Sequence, residues 1–253
     1  MWVLLHGFTG SPRSWDPVLA RMTCEPPPLV PALFGHAPGW RDLRVRSFED
    51  EVQRLCELSS RTSRPRFLAG YSLGARVAVG MLSSSPRLFD GALLLGVHPG
   101  LTTEAERRSR READEGRARQ LESEGLSAFI GTWESQPIFD TQSRLPKTVL
   151  ASQRQMRLAH DPEGLAAALR TLGLSEMPSY GDSLCKSDVP TTLMAGELDS
   201  KFVTLSVGLA TRSSKLDTIV VEGAGHNLLL EANDAVADAI QRVEQRALGG
   251  AKS

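Results

Sequence analysis

Short apolar runs alternate with helix-spaced stretches along this 253-residue chain, and that alternation limits its possible folds more than any other feature. Residues 3–5, 67–69 and 92–95 read as buried strands, and residues 29–34 as a weaker one interrupted by Pro31. Between them, Ser47-Phe48-Glu49-Asp50 has the form of a capping box. Val52, Leu55, Cys56 and Leu58 follow it at helical spacing. Residues 73–82 read as a second helix. Strands that alternate with helices pair in parallel and are covered on both faces.

The pattern changes at Thr102. To about Ser183 the chain reads as helical, and its first part, residues 103–124, is dominated by Arg and Glu. A charge run of this kind is expected to be a solvated, ion-paired helix. After Asp188 the alternation returns: strand 191–195, helix 203–211, strand 218–221 and a closing helix 232–247. The expectation is a single α/β domain with a mostly parallel central sheet flanked by helices. Its core would be residues 1–100 and 184–253, with a helical insertion over about 101–183. The last residues, 249–253, are expected to fray.

Bulk chemistry narrows the partners. Lys and Arg number 29 against 30 Asp and Glu, so no global basic field attracts nucleic acid or an anionic membrane. The apolar start is too short for a membrane span and lacks the layout of a secretion signal, so a cytoplasmic location is expected. Cys24, Cys56 and Cys185 are scattered without metal-type spacing and read as reduced thiols. With no phosphate loop and no dinucleotide fingerprint either, neither a metal nor a cofactor is expected.

The chemistry concentrates at three strand ends. Gly70-Tyr71-Ser72-Leu73-Gly74 fits G-x-S-x-G between a strand and a helix, the context of a nucleophile elbow. A serine hydroxyl reacts only when a neighbour takes its proton. Histidine does so near neutral pH, held in the right tautomer by a carboxylate. Gly196-Glu197-Leu198-Asp199 and Gly223-Ala224-Gly225-His226 each follow a later strand, and open α/β sheets place their sites at such ends. Ser72, Asp199 and His226 therefore form the candidate triad, with Glu197 as the alternative acid. His6, His36, His98 and His160 lack this context and are weaker bases. His6-Gly7-Phe8-Thr9-Gly10 follows the first strand, and the backbone N–H groups of Phe8 and Leu73 are candidate oxyanion donors.

These residues resemble the α/β-hydrolase superfamily and, within it, the MenH family, the 2-succinyl-6-hydroxy-2,4-cyclohexadiene-1-carboxylate synthases of menaquinone biosynthesis. The resemblance rests on the segments above together with Ala75-Arg76, His98-Pro99-Gly100-Leu101, Trp133-Glu134-Ser135-Gln136-Pro137-Ile138-Phe139, Asp199-Ser200-Lys201-Phe202 and Gly225-His226-Asn227. They span most of the chain in the same order. The segment Phe34-Gly35-His36-Ala37-Pro38-Gly39 departs from the usual D-x-P-G-H-G loop by lacking its Asp.

The resemblance implies a lyase that removes a ring proton and eliminates pyruvate, with Ser72 as base and no acyl-enzyme. A carboxylic ester or C–C bond hydrolase with the same triad is the alternative, and a catalytically silent scaffold the third reading. The family's substrate is a small polycarboxylate, and arginine's planar fork suits carboxylates. Arg76, one turn beyond Ser72, is a candidate contact. Arg107 and Arg157 align with arginines of the family's insertion, and Lys201 follows Asp199 by two residues. For each of these the plainer reading is a surface ion pair or an exposed helix residue. Tyr71, Trp133 and Phe139 would wall the pocket, although an aromatic is more often core.

Overall fold

The computed structural model describes residues 1–23 and 25–249; Cys24 and residues 250–253, most of the tail expected to fray, lie outside them. Five strands make one wholly parallel sheet, β1 (Trp2–Leu5), β2 (Phe67–Tyr71), β3 (Gly91–Leu95), β4 (Thr191–Gly196) and β5 (Leu216–Val221), in that spatial order. The helices, in chain order, are α1 (Asp16–Leu19), α2 (Phe48–Ser60), α3 (Leu73–Ser84), α4 (Glu104–Glu134), α5 (Lys147–Arg157), α6 (Pro162–Leu172), α7 (Gly181–Cys185), α8 (Ser200–Ala210), α9 (Leu228–Glu231) and α10 (Asn233–Gly249). No helix among the described residues is long and apolar enough to cross a membrane.

The period of two along each strand divides the core. Val3, Leu5, Leu68, Leu94 and Leu193 face α2, α3, α7 and α8, and Phe48, Leu55 and Val79 meet them there. Trp2, Leu4, Phe67, Leu93 and Met194 face the opposite side, where Trp15 just before α1, Val18 of α1, and Val236 and Ile240 of α10 cover them. Ser47 caps α2, its hydroxyl accepting the Asp50 amide at 3.1 Å.

The expected strand at 29–34 reduces to one parallel bridge, Val3 to Leu29. Leu29 exchanges bonds with Trp2 and Leu4 on the outer edge of β1. The next ladder donor would come from Pro31, which has no N–H, so pairing stops. This bridge still fixes the topology. The chain leaves β1 for the outer edge and then returns across it to β2. The connections therefore diverge between β1 and β2, and parallel sheets bind ligands beside such a divergence, at the carboxyl ends of their strands.

Between β3 and β4 the chain forms α4 to α7. The long α4 starts at a capping box, Thr103 with Glu106, and breaks at Gly125, whose φ of 80° no other residue type adopts easily. Its charged face is ion-paired as expected: Arg170 of α6 bonds Glu115 at 2.8 Å and also meets Glu122. A separate small core of Ala118, Leu121, Phe129, Ile130, Leu165 and Leu169 holds α4 to α6, and Phe8 from the loop after β1 packs against it.

Candidate active site

β2 delivers Ser72 into a turn with φ 53° and ψ −105°, a strained conformation for a residue with a side chain. Glycines on both sides allow it. A Cβ on Gly70 would lie 2.4 Å from the Gly74 carbonyl oxygen, and one on Gly74 would lie 2.4 Å from that of Leu5. The G-x-S-x-G spacing is thus a packing requirement of the elbow. α3 starts at the next residue.

The three candidate triad residues meet. His226 Nε2 lies 3.1 Å from Ser72 Oγ, and His226 Nδ1 lies 2.6 Å from Asp199 Oδ2. Asp199 is unprotonated in its role as acceptor, so Nδ1 carries the proton and Nε2 is free to take one from Ser72. The imidazole is buried between Tyr71 and Phe202, whose ring centres lie 5.4 and 4.7 Å away. Gly96 sits beneath it, where a Cβ would come within 2.9 Å of the ring. Glu197, the alternative acid, instead accepts the Gly223 N–H at 2.9 Å.

These groups open into a cavity of about 1090 Å³. Phe8 and Leu73 both line it, and neither backbone N–H donates to a protein group among the described residues. Two histidines hold the Phe8 loop from below. His6 Nε2 accepts the Leu33 N–H at 3.1 Å, so its proton is on Nδ1, donated to the Gly7 carbonyl. His36 Nε2 accepts the Thr9 N–H at 3.3 Å, and its Nδ1–H goes to Phe34. His160 donates to the Thr9 carbonyl from the other side. Burial lowers all three: His6 falls to about 4, and His36 falls well below its ordinary value. Their place is under the catalytic loop, as neutral supports.

Of the seven expected substrate contacts, six line this cavity: Tyr71, Arg76, Trp133, Phe139, Arg157 and Lys201. Arg76 is partly buried, and desolvation followed by the nearby Arg110 charge disfavours its protonated form, drawing it down to about 9. Arg157 is buried. It bonds Glu134 at 3.0 Å and stands 5.3 Å over the Phe139 ring. Trp133 packs edge-on to Phe8 with ring centres 5.1 Å apart.

Arg107 is the exception. Its guanidinium donates to the carbonyls of Ser175, Met177 and Leu101 at 2.8–2.9 Å, and it does not line the cavity. Those carbonyls occupy its donors, so its role is to tie α4 to the segment after α6. Further along the same helix, Arg110 and Arg117 do line the cavity, sharing the buried Asp114 at 2.7 and 2.8 Å. Helical period marks Arg107, Arg110, Asp114 and Arg117 as one face of α4, but it does not give the height at which that face meets the cavity. His98 also lines the wall. Burial, then the charges of Lys201, Arg76 and Arg110, lower it to about 4. Among the described residues no cluster of three or more His, Cys, Asp or Glu side chains is arranged to hold a metal ion.

Comparison with known proteins agrees with this geometry. The model of the alpha/beta hydrolase family matches residues 2–239. A 2-succinyl-6-hydroxy-2,4-cyclohexadiene-1-carboxylate synthase of Salmonella arizonae is 33% identical over 95% of this chain and 92% of its own. That of Enterobacter sp. (strain 638) is 30% identical over 95% and 90%. The solved structure of MenH from S. aureus superposes with a TM-score of 0.88 at 28% identity, covering 98% of this chain and 94% of that one. A shared fold and this level of identity along nearly the whole chain place the protein: it belongs to the alpha/beta hydrolase family and, within it, to the 2-succinyl-6-hydroxy-2,4-cyclohexadiene-1-carboxylate synthases.

Proposed function

We propose that this protein is the lyase that eliminates pyruvate from 2-succinyl-5-enolpyruvyl-6-hydroxy-3-cyclohexene-1-carboxylate, giving 2-succinyl-6-hydroxy-2,4-cyclohexadiene-1-carboxylate in menaquinone biosynthesis. The relatives named for that product support the reaction. The observation that carries it into this chain is the cavity's charge. Arg76, a partly buried cation without a carboxylate partner among the described residues, opens on the same space as Ser72. A buried cation is costly unless an anion joins it, so the site suits a substrate with carboxylates.

The roles follow from position. Ser72 Oγ takes the proton from the ring carbon that bears the succinyl ketone, passing its own proton to His226 Nε2. The electron pair moves into the ring, the ring double bond shifts, and the bond from the ring to the enolpyruvyl oxygen breaks. Pyruvate leaves as its enolate, which takes up a proton to become pyruvate as His226 gives its own back. Charge that gathers on the succinyl ketone oxygen as the carbon–hydrogen bond weakens is met by the Phe8 and Leu73 amides. Asp199 keeps His226 in the tautomer that accepts from serine and stabilises the imidazolium that forms. Arg76, Arg110, Arg157 and Lys201 offer donors to the substrate carboxylates, while Tyr71, Trp133 and Phe139 wall the ring.

Pyruvate release from the purified substrate, followed with lactate dehydrogenase, tests this reading. Wild type releases pyruvate and Ser72→Ala does not. Equal rates from the two proteins remove Ser72 as base. Rapid turnover of activated esters by a protein that releases no pyruvate transfers the site to the hydrolase reading.

A further inference from the structure

The Asp199 bond holds the ring of His226, and a second carboxylate bonds the main chain on either side of it. Glu231, the last residue of α9, turns its carboxylate back over the loop that carries the histidine. Its Oε2 accepts the Gly225 N–H at 2.8 Å, and its Oε1 accepts the Asn227 N–H at 3.0 Å. These are the amides immediately before and after His226. The main chain closes the same ring, because the Glu231 N–H donates to the Asn227 carbonyl at 2.9 Å. Gly225 admits no side chain here: a Cβ would lie 2.0 Å from Thr141 Oγ1 and 2.9 Å from Glu231 Oε2.

Two converging N–H donors need two acceptor oxygens on one planar group. A carboxylate supplies both. A carboxamide supplies one oxygen and sets its NH₂ against the other donor. We infer that Glu231 is the positioning residue of the catalytic histidine: its carboxylate spans the two amides flanking His226 and fixes the main chain from which the imidazole reaches both Asp199 and Ser72. Three carboxylates then divide the work. Asp199 bonds the ring, Glu231 bonds the main chain on either side of it, and Glu197 holds the turn at Gly223. Glu231 does not line the cavity, so it acts on the reaction through His226 alone. The inference rests on the reading of Ser72, His226 and Asp199 as the catalytic chain.

The test compares wild type with Glu231→Gln and Glu231→Ala in the full-length protein, by three measurements. In steady-state pyruvate release, kcat falls by roughly 10²-fold in Glu231→Gln, the loss expected of a catalytic group displaced by about an ångström, while KM stays nearly constant. The far-downfield proton resonance of the His226–Asp199 hydrogen bond, read without substrate, shifts or broadens. Labelling of Ser72 by a serine-directed phosphonate slows. Glu231→Gln keeps one acceptor oxygen and the same size, so it carries the test if Glu231→Ala fails to fold. A folded Glu231→Gln with wild-type kcat and an unchanged downfield resonance overturns the inference, as does a rise in KM at constant kcat. If wild type releases no pyruvate, the lyase reading fails, and the resonance and the labelling rate still decide the role of Glu231.

Discussion

Arg76 donates a hydrogen bond of 2.8 Å to the carbonyl oxygen of Leu172, linking the helix that follows Ser72 to the end of α6. Nothing else described in the chain neutralises that guanidinium directly; the neighbouring Arg110 opposes its charge, and Asp114 offsets it only from a distance. Arg76→Met therefore separates binding from stability. A charge-assisted bond to a substrate carboxylate is worth about 1.5–3 kcal/mol, so KM for the substrate rises by roughly 10- to 150-fold. The urea midpoint changes little, because the loss of the bond to Leu172 is offset by replacing a partly buried cation with an apolar side chain of similar length.

Asp199 and Glu197 stand two residues apart, but only Asp199 reaches the imidazole. Asp199→Asn forces His226 toward the wrong tautomer and lowers kcat by roughly 10³- to 10⁴-fold. Glu197→Gln loses one backbone contact on an exposed turn and changes kcat by less than about tenfold, a loss no larger than one such hydrogen bond. Initial rates of pyruvate release for the two variants decide between them.

Arg107 and Arg110 differ in the same way along α4. Arg107→Ala removes three bonds to carbonyls that are then left without donors. It lowers unfolding stability by about 1–3 kcal/mol with KM unchanged. Arg110→Ala raises KM and has the smaller effect on stability, its ion pair with Asp114 being backed by that of Arg117. Urea unfolding and steady-state kinetics on both proteins test the contrast.

Acid should unfold this protein from beneath its catalytic loop. His6, His36, His98 and His160 are all held below their ordinary value, so the unfolded chain binds protons that the folded one excludes. The sign follows from that difference. Stability is at its full value above about pH 6.5 and declines as the pH falls from there towards 4, by up to about 1.4 kcal/mol per pH unit for each group. Protonated His6 and His36 can no longer accept the Leu33 and Thr9 amides. Urea midpoints measured at pH 7 and pH 5 give the slope, and a flat profile contradicts it.

Legibility in the sequence followed the physical range of each signal. The buried strands and the capping box at Ser47 are local and periodic, and the structure has them where the pattern puts them. The meeting of Ser72, Asp199 and His226 could be read because each lies at a strand end and parallel strands bring those ends to one edge. The strand at 29–34 failed on a single missing donor at Pro31. The family resemblance points to Arg107 rather than Arg110, and alignment does not tell apart close arginines on one helix whose height against the cavity is set by tertiary packing. Glu231 gave no signal: an acidic residue at a short helix end resembles any other until the loop folds back over it.

Every group of the hydrogen-bonded chain comes from loops of the sheet, whereas Arg110, Arg117, Trp133, Phe139 and Arg157 come from the stretch between β3 and β4. Those two strands are parallel neighbours, so that stretch leaves the carboxyl end of one and returns to the amino end of the next. Its length and composition can drift without disturbing the register of any strand. The reacting side chains thus lie wholly outside that stretch, while recognition is divided between it and the sheet's own helices, which carry Arg76 and Lys201.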